Sequence, residues 1–238
     1  MAMELDMQEL TGDQRAACLD TVSPNTFFLL VADSLASRSS LSVVRMGDGE
    51  RRLFAYCQNH KGRIEPPNSP FDEPWLRQFG CYGIDTGELE NRLRIAAEHS
   101  SFFAPQIMGI TRPEFAVAKV FAPRVRYVDN WFVRTWSKKL QNQLLSFAGR
   151  VLFIHGDEGV RESFYQAAES QCSVELLHMS TWQEAEETIR VATLSSAPLV
   201  LFAGGPANKY IAPLIANGNT TVNKVVLDLG QAAASEWI

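Results

Sequence analysis

From residue 137 onward, short wholly apolar runs alternate with longer segments whose apolar residues recur every three or four positions. The runs "RVLFIHG", "CSVELLHM", "APLVLFAGG" and "NKVVLDLG" predict strands. "WSKKLQNQLLSFAG" closed by Gly149, Arg161 to Ser170, "TWQEAEETIRVATLSS" and "PANKYIAPLIANG" predict helices. Thr181 followed by Glu184 has the spacing of a capping box. Strands apolar on both faces and separated by helices belong to a parallel sheet covered on both sides. The expected fold is therefore α/β, a Rossmann-like, mostly parallel sheet with helices on both faces.

The first half is less regular. Pro24-Asn25 opens "TFFLLVADSLASRSS", whose spacing suits a helix, and Leu41 to Val44 reads as a short strand. "LFAYCQNH" and "GELENRLRIAAEHSS" are helical in pattern. Between them "KGRIEPPNSPFDEP" carries four prolines in fourteen residues and predicts a loop, either a lid or a plain surface excursion. Residues 102 to 135, aromatic and arginine-rich, have no clear period. Residues 1–22 read as an N-terminal arm, and 23–238 as one domain without a visible linker.

Composition narrows the function classes. A chain of 238 residues can bury a sizeable core without staples. A net charge of -5 with no lysine- or arginine-rich run argues against nucleic acid as partner. Cys18, Cys57, Cys81 and Cys172 are scattered, so neither a zinc site nor a disulfide framework is expected, and a reduced, cytoplasmic protein is the simpler reading. No run approaches the roughly 18 apolar residues of a membrane span. Any membrane contact is expected to be peripheral.

In open α/β sheets ligands bind beyond the carboxyl ends of the strands. Three loops fall there: Arg45 to Glu50, His155 to Gly159, and Gly204 to Lys209. In "RMGDGE", Asp48 and Glu50 can point the same way and would repel unless a cation lay between them. Mg²⁺ or Mn²⁺ takes hard oxygen ligands, commonly one or two carboxylates plus substrate phosphates. Gly47 and Gly49 permit close backbone approach, and Arg45 could pair with a phosphate. The same residues also make a common turn, in which Asp48 caps the next helix and Glu50 complements its dipole.

"LVLFAGGPANK" offers an anion the free amides of a strand-to-helix turn, with Lys209 nearby; Pro206 near the helix start is also ordinary turn chemistry. His155, Asp157 and Glu158 could face the same crevice. Trp131, Trp136 and Tyr127 could stack on a sugar or base, although core aromatics are the commoner case.

With these loops in hand, the chain resembles the GT-D-type glycosyltransferases, a bacterial family with a Rossmann-like fold and a D-x-E metal motif. Ser42 to Glu50 is similar to the family's S-x-x-R-F-G-D-G-E, with Met46 where Phe is usual. Leu199 to Lys209 looks like its apolar strand followed by G-P-x-x-K, and Val226 to Gly230 like its closing [IL]-D-[IL]-G strand. The likeness runs in order over residues 25 to 230, loosely in the middle third. It implies transfer of a sugar from a nucleoside-diphosphate donor, a UDP-sugar, to an acceptor hydroxyl of a surface polysaccharide or glycoprotein. The enzyme would act in the cytoplasm, at the inner face of the membrane. Asp48 and Glu50 would hold Mn²⁺ or Mg²⁺, with Arg45, Gly47, Gly204, Gly205, Pro206, Lys209 and Asp228 as the substrate-binding set. Some members carry a carboxylate where this chain has His155 and a histidine where it has Gln231. The base therefore stays open among His155, Asp157 and Glu158. Two other classes stand beside this reading: a non-catalytic nucleotide-sugar binding module, and a phosphoryl-transfer enzyme. The oligomeric state is left open.

Overall fold

The computed structural model describes residues 21–65, 76, 79–105, 125–218, 222–230 and 237, with the side chains of Asp48 and Arg51 outside that set. Eight strands form one sheet among the described residues: β1 (Thr21–Val22), β2 (Leu41–Met46), β3 (Phe102–Pro105), β4 (Arg126–Val128), β5 (Arg150–His155), β6 (Ser173–His178), β7 (Leu199–Ala203) and β8 (Val225–Asp228). Their order is β1-β4-β3-β2-β8-β7-β5-β6. Every pairing is parallel. The expected α/β, Rossmann-like architecture is what the chain adopts.

Helices α1 (Pro24–Ala36), α2 (Asp48–Asn59), α3 (Thr86–His99), α4 (Phe132–Thr135), α5 (Lys138–Ala148), α6 (Glu158–Ala168), α7 (Ala185–Leu194) and α8 (Ile211–Asn217) cover both faces. Their ends follow local chemistry. The Ser23, Ser137 and Asp157 side chains accept the amides of Thr26, Leu140 and Val160 at the starts of α1, α5 and α6. Asp85 does the same for Gly87 ahead of α3. Gly149, at φ 68°, closes α5 in the left-handed region where a side chain would be strained. The Glu184 carboxylate accepts the Ser180 and Thr181 amides, and a 3₁₀ turn, Trp182–Glu184, then leads into α7.

The sheet divides the core in two. Val44, Met46, Phe103, Ile154, Phe202 and Val226 pack beneath α2, α3, α7 and α8. Val43, Phe102, Phe153, Leu201 and Leu227 pack beneath α1, α5 and α6. Trp136 lies in the second layer, against Phe27, Phe132 and Trp237, with its indole N–H donating to the Pro24 carbonyl at 2.9 Å. It is a core residue rather than a stacking platform. Burying such side chains yields about 1.5–3 kcal/mol each, the main term holding the layers together.

Several departures from the sequence reading have physical reasons. Residues 102 to 135 contain β3, β4 and α4, too short for a period to show. Thr21–Val22, at the end of the expected arm, pair with Tyr127–Val128 as an edge strand. Much of the proline-rich loop lies outside the described residues, as do residues 1–20 of the arm and Gln231. "PANKYIAPLIANG" is not one helix: a 3₁₀ turn, Pro206–Asn208, precedes α8. Pro213 has no N–H and would clash with the Lys209 carbonyl in a continuous helix, so it is accommodated only in a first turn. Among the described residues no helix is long and apolar enough to cross a membrane.

Candidate functional site

The strand order places β2 beside β8, and their carboxyl ends gather four charges. Asp228, the last residue of β8, is 1% exposed, and its Oδ2 accepts the Arg45 amide at 2.9 Å. The same oxygen accepts Lys209 Nζ at 2.7 Å, while Oδ1 accepts the Gly230 amide at 2.9 Å. Lys209 follows the 3₁₀ turn after β7 and is 4% exposed; its ammonium also lies 3.3 Å from Glu50 Oε1. Glu50 Oε2 accepts the Gly47 amide at 2.8 Å across the start of α2. Asp48 is thus the first residue of α2 and not its cap; Gly47 is the N-cap, Glu50 in the first turn holds its amide, and a lysine meets the other Glu50 oxygen.

Electrostatics fit this geometry. Burial alone would raise the Glu50 carboxyl, but the Lys209 ammonium and the Gly47 amide outweigh it and hold it below the ordinary range. Burial would likewise lower Lys209, yet Asp228 and Glu50 hold it above its usual value. Burial draws Arg45 down, against Asp228 and Glu50. The guanidinium works largely inside the fold: Nε donates to the Asn130 carbonyl at 2.9 Å and Nη1 to the Leu229 carbonyl. Its Nη2 group makes no hydrogen bond to a described residue. Gly230, at φ 54°, leaves room for that arrangement, since a Cβ there would stand 2.8 Å from Arg45 Nη1.

The Gly204-Gly205 turn borders the cluster. Gly205 sits at φ 75°, a conformation that favours glycine, and its amide donates to no described residue. A side chain at Gly204 would run into Met179 and the buried Phe202 ring. Lys209 does not extend from this turn toward solvent, as a phosphate-binding lysine at a helix start would. It turns inward because two carboxylates await it there.

The sequence-selected residues therefore fall into two groups. Arg45, Gly47, Glu50, Gly205, Lys209 and Asp228 come together, with Gly204 and Pro206 shaping the turn that carries Lys209. The side chain of Asp48 lies outside the described residues; its backbone begins α2. His155, Asp157 and Glu158 stand at the end of β5, three strands from β2 and so about 14 Å away across the sheet. Each has a local setting: His155 Nδ1 accepts the Asp157 amide at 2.9 Å, and Asp157 Oδ1 accepts the Val160 amide at 3.0 Å. Glu158 is exposed in the first turn of α6. Burial holds the His155 imidazole below its usual value.

Sequence reasoning missed Asp129 and Asn130, both buried after β4. Asp129 Oδ1 accepts the Trp131 amide at 2.8 Å, and Asn130 supplies the carbonyl that holds Arg45. Only a strand longer than three residues would have marked their place. Trp131 carries the Arg134 guanidinium 4.6 Å from its ring centre, and Tyr127 meets Phe103 edge-on.

Glu50 is the described carboxylate through which a divalent ion could be held. Asp228 takes three N–H donors and is 1% exposed, so burial closes it to an incoming ion. Glu50 has one donor on each oxygen, so lone pairs remain, and its side chain is 15% exposed. Among the described residues no three His, Cys, Asp or Glu side chains gather as a metal cage. Of the described carboxylates an ion here would draw on Glu50, with substrate oxygens and water completing a set that suits Mg²⁺ or Mn²⁺. Comparisons with protein-family models, with curated proteins and with solved structures found no match.

Proposed function

We propose that the protein is a metal-dependent glycosyltransferase, moving a sugar from a nucleoside-diphosphate sugar, a UDP-sugar, to an acceptor hydroxyl. The observation that carries this reading is Glu50. It is a carboxylate kept ionised by Lys209 at 3.3 Å and by the Gly47 amide at 2.8 Å, with coordination capacity left. It stands at the carboxyl edge of a parallel sheet, where such folds bind ligands. The likeness of "SVVRMGDGE" to the GT-D motif points to the same residue.

In this reading Asp48 and Glu50 hold Mn²⁺ or Mg²⁺, which when bound neutralises charge on the departing diphosphate. Lys209 and the Gly47 amide fix the Glu50 carboxylate before any ligand arrives, so little reorganisation is needed on binding. The Gly205 amide and Arg45 Nη2 are donors placed for phosphate oxygens. Asp228 acts through others, steering Lys209 and the Arg45 backbone. His155 and Glu158 are about 14 Å from β2 across the sheet, the span left for diphosphate, transferred sugar and acceptor. Acceptors in this scheme are the hydroxyls of a surface polysaccharide or glycoprotein, modified in the cytoplasm at the inner face of the membrane.

Calorimetric titration with UDP, GDP and their common sugars, in Mn²⁺ and then in EDTA, tests the reading. Metal-dependent binding by the wild type, lost in Asp48→Asn/Glu50→Gln, is expected. Metal-dependent turnover that survives in the double variant would remove the two carboxylates from the role given them. Absence of nucleotide binding under every condition would leave "RMGDGE" as a turn and cap.

A further inference from the structure

Asn130 follows β4 and reaches the end of β2 through its backbone. Its amide donates to the Pro105 carbonyl at 3.0 Å, and its carbonyl accepts Arg45 Nε at 2.9 Å. The main chain is thereby pinned on both sides, and the residue is 6% exposed. Yet its carboxamide makes no hydrogen bond to any described residue.

The side chain is aimed at the site. A Cβ placed on Gly47 would stand 3.7 Å from Asn130 Nδ2 and 3.8 Å from Glu50 Oε2. The carboxamide nitrogen and the Glu50 carboxylate thus flank one spot beside the turn from β2 into α2. The absence of a side chain at residue 47 keeps that spot clear.

The chemistry of the pair narrows what fits. A carboxamide offers two N–H donors and an acceptor oxygen, whereas Glu50 only accepts. A diphosphate at neutral pH accepts without donating, so even with a cation between it and Glu50 it would meet the carboxamide nitrogen and leave the carboxamide oxygen without a donor. Hydroxyl groups both donate and accept, so vicinal hydroxyls can satisfy the carboxamide and the carboxylate together. The geometry points to Asn130 as a hydroxyl-reading residue, binding ring hydroxyls of the donor, from either the transferred sugar or the ribose. This rests on the sugar-nucleotide reading of the site.

The test is calorimetry in Mn²⁺ on the full chain and on Asn130→Ala, with UDP-glucose, UDP and pyrophosphate as probes. About a tenfold loss of affinity is expected for UDP-glucose, the effect of one hydrogen-bonding group, with pyrophosphate unchanged. A loss confined to UDP-glucose assigns the transferred sugar; an equal loss for UDP assigns the ribose. Loss toward pyrophosphate as well would mean a phosphate contact and overturn the assignment. Unchanged UDP-glucose affinity would overturn it while leaving the sugar-nucleotide reading intact. A wild type that binds none of the three brings down both. Because the carboxamide makes no hydrogen bond to a described residue, Asn130→Ala is expected to melt no lower than the wild type. A large drop would make the side chain structural and overturn the proposal.

Discussion

Replacing Lys209 by methionine tests whether the charged cluster is an integral part of the fold. Lys209 is 4% exposed, with its ammonium 2.7 Å from Asp228 and 3.3 Å from Glu50. Methionine fills similar volume but leaves two carboxylates facing each other without their shared cation. Removing one partner of a buried ion pair costs about 3–5 kcal/mol, chiefly because the remaining charge is uncompensated. For a chain of this size each kcal/mol moves the midpoint by about 2–4 °C, so a fall of about 6–20 °C is expected. Thermal unfolding followed by circular dichroism measures it. Adding Asp228→Asn and Glu50→Gln removes the stranded charges and should restore part of the loss. The pH dependence has a definite sign. Glu50 is held below the ordinary carboxylate range, so its contribution is present above that range and is lost as pH falls through its folded value. In Lys209→Met the Glu50 carboxylate loses the ammonium that holds it ionised and takes up a proton more readily. The gap between variant and wild type should therefore narrow as pH falls toward about 4. A variant that melts with the wild type at pH 7, or one the neutral substitutions cannot rescue, would refute the reasoning.

Three further outcomes follow from particular contacts. Gly204→Ala puts a methyl group 2.5 Å from the buried Phe202 ring and against Met179, and should cost about 1–3 kcal/mol in denaturant unfolding. Wild-type stability there would mean the turn yields more easily than its packing implies. Lys224, fully buried, donates to the Ser195 and Ala197 carbonyls at 2.7 and 3.0 Å. Lys224→Met strands both acceptors at the end of α7, with an expected loss of about 2–4 kcal/mol by urea titration. The His155 imidazole should titrate below about 6.5 in an NMR pH series, because burial disfavours its cation. A pKa above that value would contradict the packing at the end of β5.

Local chemistry alone accounts for much of this protein. Ser23, Asp85, Ser137 and Asp157 start helices because their oxygens satisfy amides within a few residues, and Gly149 ends one because it tolerates positive φ. The apolar runs that become β5, β7 and β8 announce a sheet buried on both faces, and hence a ligand edge at its carboxyl end. Glu50 and Lys209 were legible as residues of that edge, because each lies just beyond an apolar strand. Which strands become neighbours is not written in any local period, since parallel pairing joins segments far apart in the chain. Only the β2–β8 pairing carries Asp228 to the Arg45 amide, 183 residues away, and draws Lys209 between two carboxylates. The same order sets His155 three strands off, and the three-residue β4 delivers Asn130 without a sequence signal. Periodicity encodes which side of an element is buried; the packing of distant elements decides which charges and unpaired polar groups share one spot.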